Sequence, residues 1–265
     1  MRPPRKLPSR SSASLPGMRR HGLARVLSKL GIASRTQAAE WIRAGRVAVD
    51  GQVVRDAECP TDPERARLSI DGIAVGARER LYLMLNKPRG YVTTASDERG
   101  RDTVYALLAE SGLPWIAPVG RLDKASEGVL LLTNDSEWAA RITAPHSAID
   151  KTYHVRIDRL PDAAVLAALV HGVEVDGETL AVKQVGELRR GEKNAWLEIV
   201  LDEGRNRQIR RVLGAFDIAV LRLVRVGVGG IELGELAKGC WRHLSAAEVA
   251  SLAEPSTTVP AFSSC

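Results

Sequence analysis

Residues 118–135 read Pro118-Val119-Gly120-Arg121-Leu122-Asp123-Lys124-Ala125-Ser126-Glu127-Gly128-Val129-Leu130-Leu131-Leu132-Thr133-Asn134-Asp135. The Arg121-Leu122-Asp123 triplet predicts a charged loop, and the apolar run Val129–Leu132 that follows predicts a buried strand. Loops held by a rigid strand are where catalytic groups usually sit. Taken alone, Asp123 reads as readily as a cap or a structural salt-bridge partner.

Outward from this stretch the apolar runs stay short and rich in β-branched residues: Leu81–Leu85, Val155–Ile157, Val173–Val175 with its Asp176-Gly177 turn, Leu197–Leu201 and Leu221–Val228. Most of them alternate or are bounded by Gly and Pro, which predicts a mainly antiparallel sheet. Helical patterns intervene at Thr103–Glu110, Glu137–Thr143, Asp162–Val170 and Arg207–Leu213. The fold class expected is therefore α+β, with a larger mixed-sheet domain over residues 81–250.

Upstream, Leu23, Val26, Leu27 and Leu30 recur at helical spacing before Gly31. Ser34 and Gln37 have the spacing of a capping box, so a second helix is expected from Arg35 to Gly45, burying Ala38, Trp41 and Ile42. Val47 and Val49 then alternate, and Asp50-Gly51 and Asp71-Gly72 are favoured hairpin turns. This gives a small helix-helix-hairpin domain over residues 19–76, with a boundary at Arg78-Glu79-Arg80. Residues 1–18 and 251–265 are rich in Pro, Ser and Thr, and both are expected to be disordered tails.

The composition narrows the function. At 265 residues, 45% hydrophobic, the chain is too apolar for a disordered protein. Its longest strongly apolar run, Val129–Leu132, is far short of the roughly 20 residues needed to cross a bilayer. Arg2, Arg5 and Lys6, with Pro8 and Pro16 behind them, leave no secretory signal core, so a cytoplasmic location is expected. Cys59, Cys240 and Cys265 are odd in number and widely spaced, and read as reduced thiols. His21, His146, His154, His171 and His243 share no ligand spacing, and no metal is assigned. The formal charge of +6 is matched by residues 1–20 alone, through Arg2, Arg5, Lys6, Arg10, Arg19 and Arg20. Basic surface elsewhere must come from segregation: residues 21–55 and 201–225 are locally rich in arginine, which points to a polyanionic partner.

Leu85-Asn86-Lys87-Pro88-Arg89-Gly90, Gly120-Arg121-Leu122-Asp123 with its strand, Lys151-Thr152-Tyr153, and Glu203-Gly204-Arg205-Asn206-Arg207-Gln208-Ile209-Arg210-Arg211 occur in this order. Together they resemble the pseudouridine synthases of the Rsu type, the branch acting on ribosomal RNA, over about residues 19–250. Ser136 stands where the family commonly has Gly, and Val129 where Leu is common. Residues 19–76, with Ala33-Ser34-Arg35 and Ala44-Gly45-Arg46-Val47-Ala48-Val49-Asp50-Gly51, resemble the S-four RNA-binding domain first described in a ribosomal small-subunit protein.

The resemblance implies Asp123 as the catalytic aspartate, Tyr153 as the tyrosine that stacks on the target base, and Ile209 with Arg210 as the pair whose arginine bonds to the carboxylate. It also implies that Arg121, or neighbouring Lys87 and Arg89, fills the gap left by an extruded base or grips flanking phosphates. In the small domain Arg35, Arg43 and Arg46 would meet RNA phosphates, which a planar guanidinium binds in pairs. No cofactor is implied. Breaking the C1′–N1 bond of uridine, turning the base and rejoining it through C5 suits a carboxylate, which can attack, stabilise positive charge at the sugar or remove a sugar proton.

A ribosome-assembly or RNA-binding protein without catalysis is the alternative, and Asp123, Tyr153 and Arg210 together argue against it. A small-molecule glycosidase would need a second carboxylate opposite Asp123. The expected partner is ribosomal RNA or a subunit assembly intermediate, without a membrane, bound by a monomer. The Arg205-Asn206-Arg207-Gln208 stretch leans toward a large-subunit substrate.

Overall fold

The structure is a computed structural model that describes residues 20–94, 99–145 and 147–252. The basic tail over 1–18, His146, Cys265 and all but the first two residues of the tail over 251–265 lie outside the described residues. The chain divides into two compact units, a smaller one ending at Gly76 and a larger one from Ala77 that also takes in Lys29–Ser34.

The smaller unit contains helices Leu23–Lys29 and Arg35–Arg43 and a four-stranded antiparallel sheet. Leu23, Val26, Leu27, Ala38, Ile42 and Val47 are fully buried. Asp50-Gly51 and Asp71-Gly72 both have positive φ at each position, as the tight turns of right-twisted hairpins require. Trp41 departs from its expected core position: it is only half-buried, and the Arg46 guanidinium lies over its ring at 5.4 Å.

The larger unit is built on a nine-stranded sheet. Its main order runs Gln184–Arg190, Ala195–Leu201, Lys151–Ile157, Val220–Val228, Glu127–Thr133, Tyr82–Lys87, Trp241–His243. Glu127–Thr133 is buried along its whole length. Leu130 and Leu132 join Leu83 and Leu85 in one core, while Val129 and Leu131 join Met84 and Trp138 in another. That split is the period-two alternation of a strand covered on both faces. A third core lies under helices Ala163–His171 and Gln208–Gly214, built from Val155, Ile157, Leu197, Ile199, Val212 and Leu213 among others.

All ladders along this order are antiparallel except one. Val220–Val228 runs parallel to Glu127–Thr133 through only two residue pairs, Val224↔Glu127 and Arg225↔Gly128. This seam divides the sheet into two halves. Arg222 and Lys238 both pair with the buried Glu127 carboxylate there, at 2.9 and 2.6 Å. Arg225 reaches across to donate from Nε to the Val129 carbonyl at 2.8 Å.

Several boundaries differ from expectation. Thr103–Glu110 contains only a short 3-10 helix, Val104–Leu108. The helix expected from Arg207 starts at Gln208. Strands Gln184–Arg190 and Trp241–His243 and helix Ala246–Ser251 were not foreseen. Gln184–Arg190 is an exposed edge strand, so nothing selects an apolar alternation in it.

Candidate active site

The Asp123 loop is held from below. The Lys87 side chain is fully buried and its Nζ donates to the carbonyls of Pro88, Asp123 and Ser126 at 3.2, 3.0 and 2.8 Å. The Asp123 carbonyl also accepts from the Ser126 N–H at 3.0 Å, which closes the turn. Thr93 Oγ1 donates to the Leu122 carbonyl at 2.8 Å, and the buried Leu122 side chain anchors the loop in the core. Burial pushes the Lys87 ammonium down to about 8, against the pull of Asp123 and Glu127. Lys87 is therefore a brace beneath the loop and does not grip phosphate; the loop's carbonyls need an internal donor, and the lysine supplies it.

Above this loop opens a cavity of about 840 Å³ in the larger unit. It straddles the seam of the sheet. Asp123 comes from one half, and Tyr153, Ile209 and Arg210 come from the elements of the other. The Asp123 side chain is about a third exposed. Tyr153 stands directly opposite Arg225 on the neighbouring strand, and Lys151 lies on the same face two residues away. A register shift between Thr152 and Tyr153 lets Arg225 and Val228, three positions apart, both face the cavity. Lys151 donates to the Asp202 carbonyl at 3.1 Å, and burial followed by the nearby Arg225 lowers its pKa.

Arg121 is exposed on the cavity wall, and Ile209 is buried in it. Arg89 is exposed and outside the lining, though close enough to act electrostatically on Arg210. Arg210 does not bond to Asp123 as expected. Its Nη1 donates to the Val220 carbonyl at 3.1 Å, and its Nε is buried without a hydrogen-bond partner. Burial, then Arg207, lowers the Arg210 pKa, while Asp123 raises it. The ion pair on Asp123 comes from Arg207, Nη1 to Oδ2 at 3.7 Å. Arg207 caps its helix in the left-handed conformation at φ +49, which aims a different arginine of the same run at the carboxylate.

Arg207, Lys151 and Arg225 carried no assigned role in the sequence reading. Arg225 did have a signal, a charge inside an otherwise β-branched run, and Lys151 shares a strand face with Tyr153. Among the described residues, no cluster of His, Cys, Asp or Glu could hold a metal ion. No described helix is long and apolar enough to cross a membrane.

In the smaller unit, Arg35 and Arg43 are exposed at the two ends of one helix. Arg46 lies beyond the helix and is committed internally. Its Nε and Nη2 hold the Asp71 carboxylate at 3.1 and 2.5 Å, so the hairpin turn takes the fork expected to meet phosphate.

Residues 81–215 match the RNA pseudouridylate synthase family, and residues 22–59 match the S4 domain. This chain belongs to the RNA pseudouridylate synthase family. An RNA pseudouridine synthase of Aquifex aeolicus is 38% identical over 230 residues, covering 86% of this chain and 92% of the relative. The ribosomal large subunit pseudouridine synthase B of Bacillus subtilis is 34% identical, covering 87% of this chain and 94% of its own. A crystal structure of a pseudouridylate synthase matches with a TM-score of 0.60 at 29% identity, covering 88% of this chain and 99% of that one. The chain is thus an RNA pseudouridine synthase that carries an S4 RNA-binding domain ahead of an α+β synthase domain.

Proposed function

We propose that this synthase isomerises a specific uridine of ribosomal RNA, in the large subunit, with Asp123 as its catalytic carboxylate. The observation that carries the assignment of roles is the gathering of Asp123, Tyr153, Ile209 and Arg210, from distant parts of the chain, around one cavity. The large-subunit substrate is supported by the name of the Bacillus subtilis relative, and RNA binding by the S4 domain.

The target uridine is extruded from its RNA fold into the cavity, at an unstacking cost of a few kcal/mol. Its ring stacks on Tyr153 and packs against Ile209, and Arg121 on the cavity wall fills the place it left. The Asp123 carboxylate, held by a braced loop, then works on the nucleotide as the C1′–N1 bond breaks. The detached uracil stays between Tyr153 and the cavity wall, turns, and bonds to C1′ through C5. Loss of the C5 proton restores aromaticity, and the Tyr153 hydroxyl is placed to assist it. No atom is gained or lost apart from exchange of that proton with water. Outside the cavity, Arg35 and Arg43 contact phosphates through the small domain, and Arg89 contacts phosphates flanking the target.

The test is tritium release from ribosomal RNA labelled at uridine C5, on naked RNA and on assembled subunits. Release by the wild type and none by Asp123→Ala is the expected outcome, with the large-subunit substrate responding. Equal RNA binding by both proteins with no release from any substrate would instead support an assembly role.

A further inference from the structure

The run from Arg205 to Arg211 divides its arginines between two tasks. Arg205 pairs with Glu203 at 3.0 Å, and Arg211 pairs with Glu178 and Asp176 at 3.1 and 3.2 Å, so both are held by carboxylates other than Asp123. Arg207 and Arg210, which line the cavity with Arg205, have no such carboxylate partner among the described residues. Arg207 has Asp123 as its one ion-pair partner among the described residues, at 3.7 Å and without a hydrogen bond, and its side chain is 51% exposed. A half-exposed pair of that length is held weakly. Two further features set Arg207 against its own position. A non-glycine residue in the left-handed region is disfavoured, and a cation at the first end of a helix faces the positive pole of the peptide dipoles. Backbone strain of this kind persists where the side chain's direction matters. Beside it, the buried Nε of Arg210 has no hydrogen-bond partner among the described residues, which leaves it a donor for a water, a ligand or a rearranged side chain.

We propose that Arg207 reads an RNA phosphate and, in the free enzyme, guards Asp123: an arriving phosphodiester draws its guanidinium off the carboxylate, and Arg210 takes the vacated place. The inference rests on Asp123 being the catalytic carboxylate. It accounts for both arginines at once. A polyanion outcompetes one loosely held carboxylate for a guanidinium that already points to solvent, and the departure of Arg207 removes the like charge that disfavours Arg210. Asp123 is thereby freed in the presence of correctly placed RNA and covered in its absence.

The experiment compares Arg207→Gly, Arg207→Lys and Asp123→Asn with the wild type. Glycine fits the left-handed backbone, so the first variant folds. Tritium release by Arg207→Gly is expected to show KM raised roughly tenfold with kcat within about twofold, as loss of one charged phosphate contact predicts. Its dependence of log kcat/KM on log salt should flatten by about 0.7–0.9. Arg207→Lys should recover most of the KM. Without RNA, coupling of Asp123 to an amine by a water-soluble carbodiimide, followed by mass spectrometry, should run faster in Arg207→Gly than in the wild type. A tenfold fall in kcat at unchanged KM would overturn the proposal by making Arg207 the working counterion; so would unchanged KM and salt dependence, or equal coupling rates. Full activity of Asp123→Asn would sink the reading of Asp123 itself, independently of what Arg207 does.

Discussion

Replacing Gly128 by alanine tests the seam of the sheet at its tightest point. Gly128 has φ +102, and an added Cβ would stand 2.1 Å from the Arg225 carbonyl oxygen and 2.8 Å from its nitrogen. Both are backbone atoms, so no side chain can swing aside. The left-handed region costs an L-residue about 1–2 kcal/mol, and φ +102 lies beyond the centre of that basin. Overpacking adds about 1–3 kcal/mol as the two strands are pushed apart. The expected loss is therefore about 2–5 kcal/mol, or roughly 5–20 °C in Tm for a unit of this size. Gly120→Ala is the control, since φ is +72 there and the nearest atom is a methyl at 3.6 Å. That variant should lose only the conformational part, about 1–2 kcal/mol. Urea unfolding followed by tryptophan fluorescence, to which the buried Trp138 contributes, measures both. A loss in Gly128→Ala no larger than in Gly120→Ala would refute the close approach as the reason for this glycine. Because Arg225 lines the cavity, kcat/KM of Gly128→Ala should also fall under conditions where the protein remains folded.

The buried Lys87 gives a pH signature. Its folded pKa of about 8 lies below the ordinary 10.5, so its ionisation opposes folding below pH 8 and that penalty disappears as pH rises through 10.5. Urea stability of the wild type minus that of Lys87→Met should therefore rise by about 3 kcal/mol across this window, and a flat or falling difference would contradict it. Asp135 caps helix Ser136–Thr143 by accepting from the Glu137 and Trp138 N–H groups, and it also pairs with Arg80 and accepts from Tyr82. Asp135→Ala should cost about 2–4 kcal/mol in the same assay, with Asp135→Asn keeping the cap and losing less. In the small domain, Arg35→Ala with Arg43→Ala should reduce the salt dependence of RNA binding by up to about 1.4–1.8, whereas Arg46→Ala should change it little; filter binding at several salt concentrations measures this.

The sequence made legible those elements whose residues face a core. Val129–Leu132 reads as a strand because both of its faces are buried, and the two Asp-Gly turns read as hairpins because few residues other than Asp, Asn and Gly tolerate φ > 0 there. Gln184–Arg190 was silent since an exposed edge places no demand on hydrophobic period. At the site, residue type was readable and partner choice was not. A lysine beside Pro88 looks like a phosphate ligand until the burial of its side chain is known. Which arginine of Arg207 and Arg210 reaches Asp123 depends on one left-handed backbone position, and Arg is not a residue that advertises it.

The two-pair seam has a mechanical consequence. Most other neighbours along the main order share six or seven residue pairs, as in Tyr82–Lys87 with Glu127–Thr133 and Lys151–Ile157 with Ala195–Leu201, and Trp241–His243 shares three with Tyr82–Lys87. Where the sheet is thinnest, its stiffness comes from side chains, from the Glu127 ion pairs and from the shared core of Val129, Leu131, Val228 and Ile231. Such a joint yields in width before either half distorts internally. The adjustable dimension of the molecule is therefore the distance between its two banks, Asp123 on one and Tyr153 on the other. On the proposed function, the chamber in which a planar ring rotates without release lies at the line of the main order that the fewest backbone pairs hold.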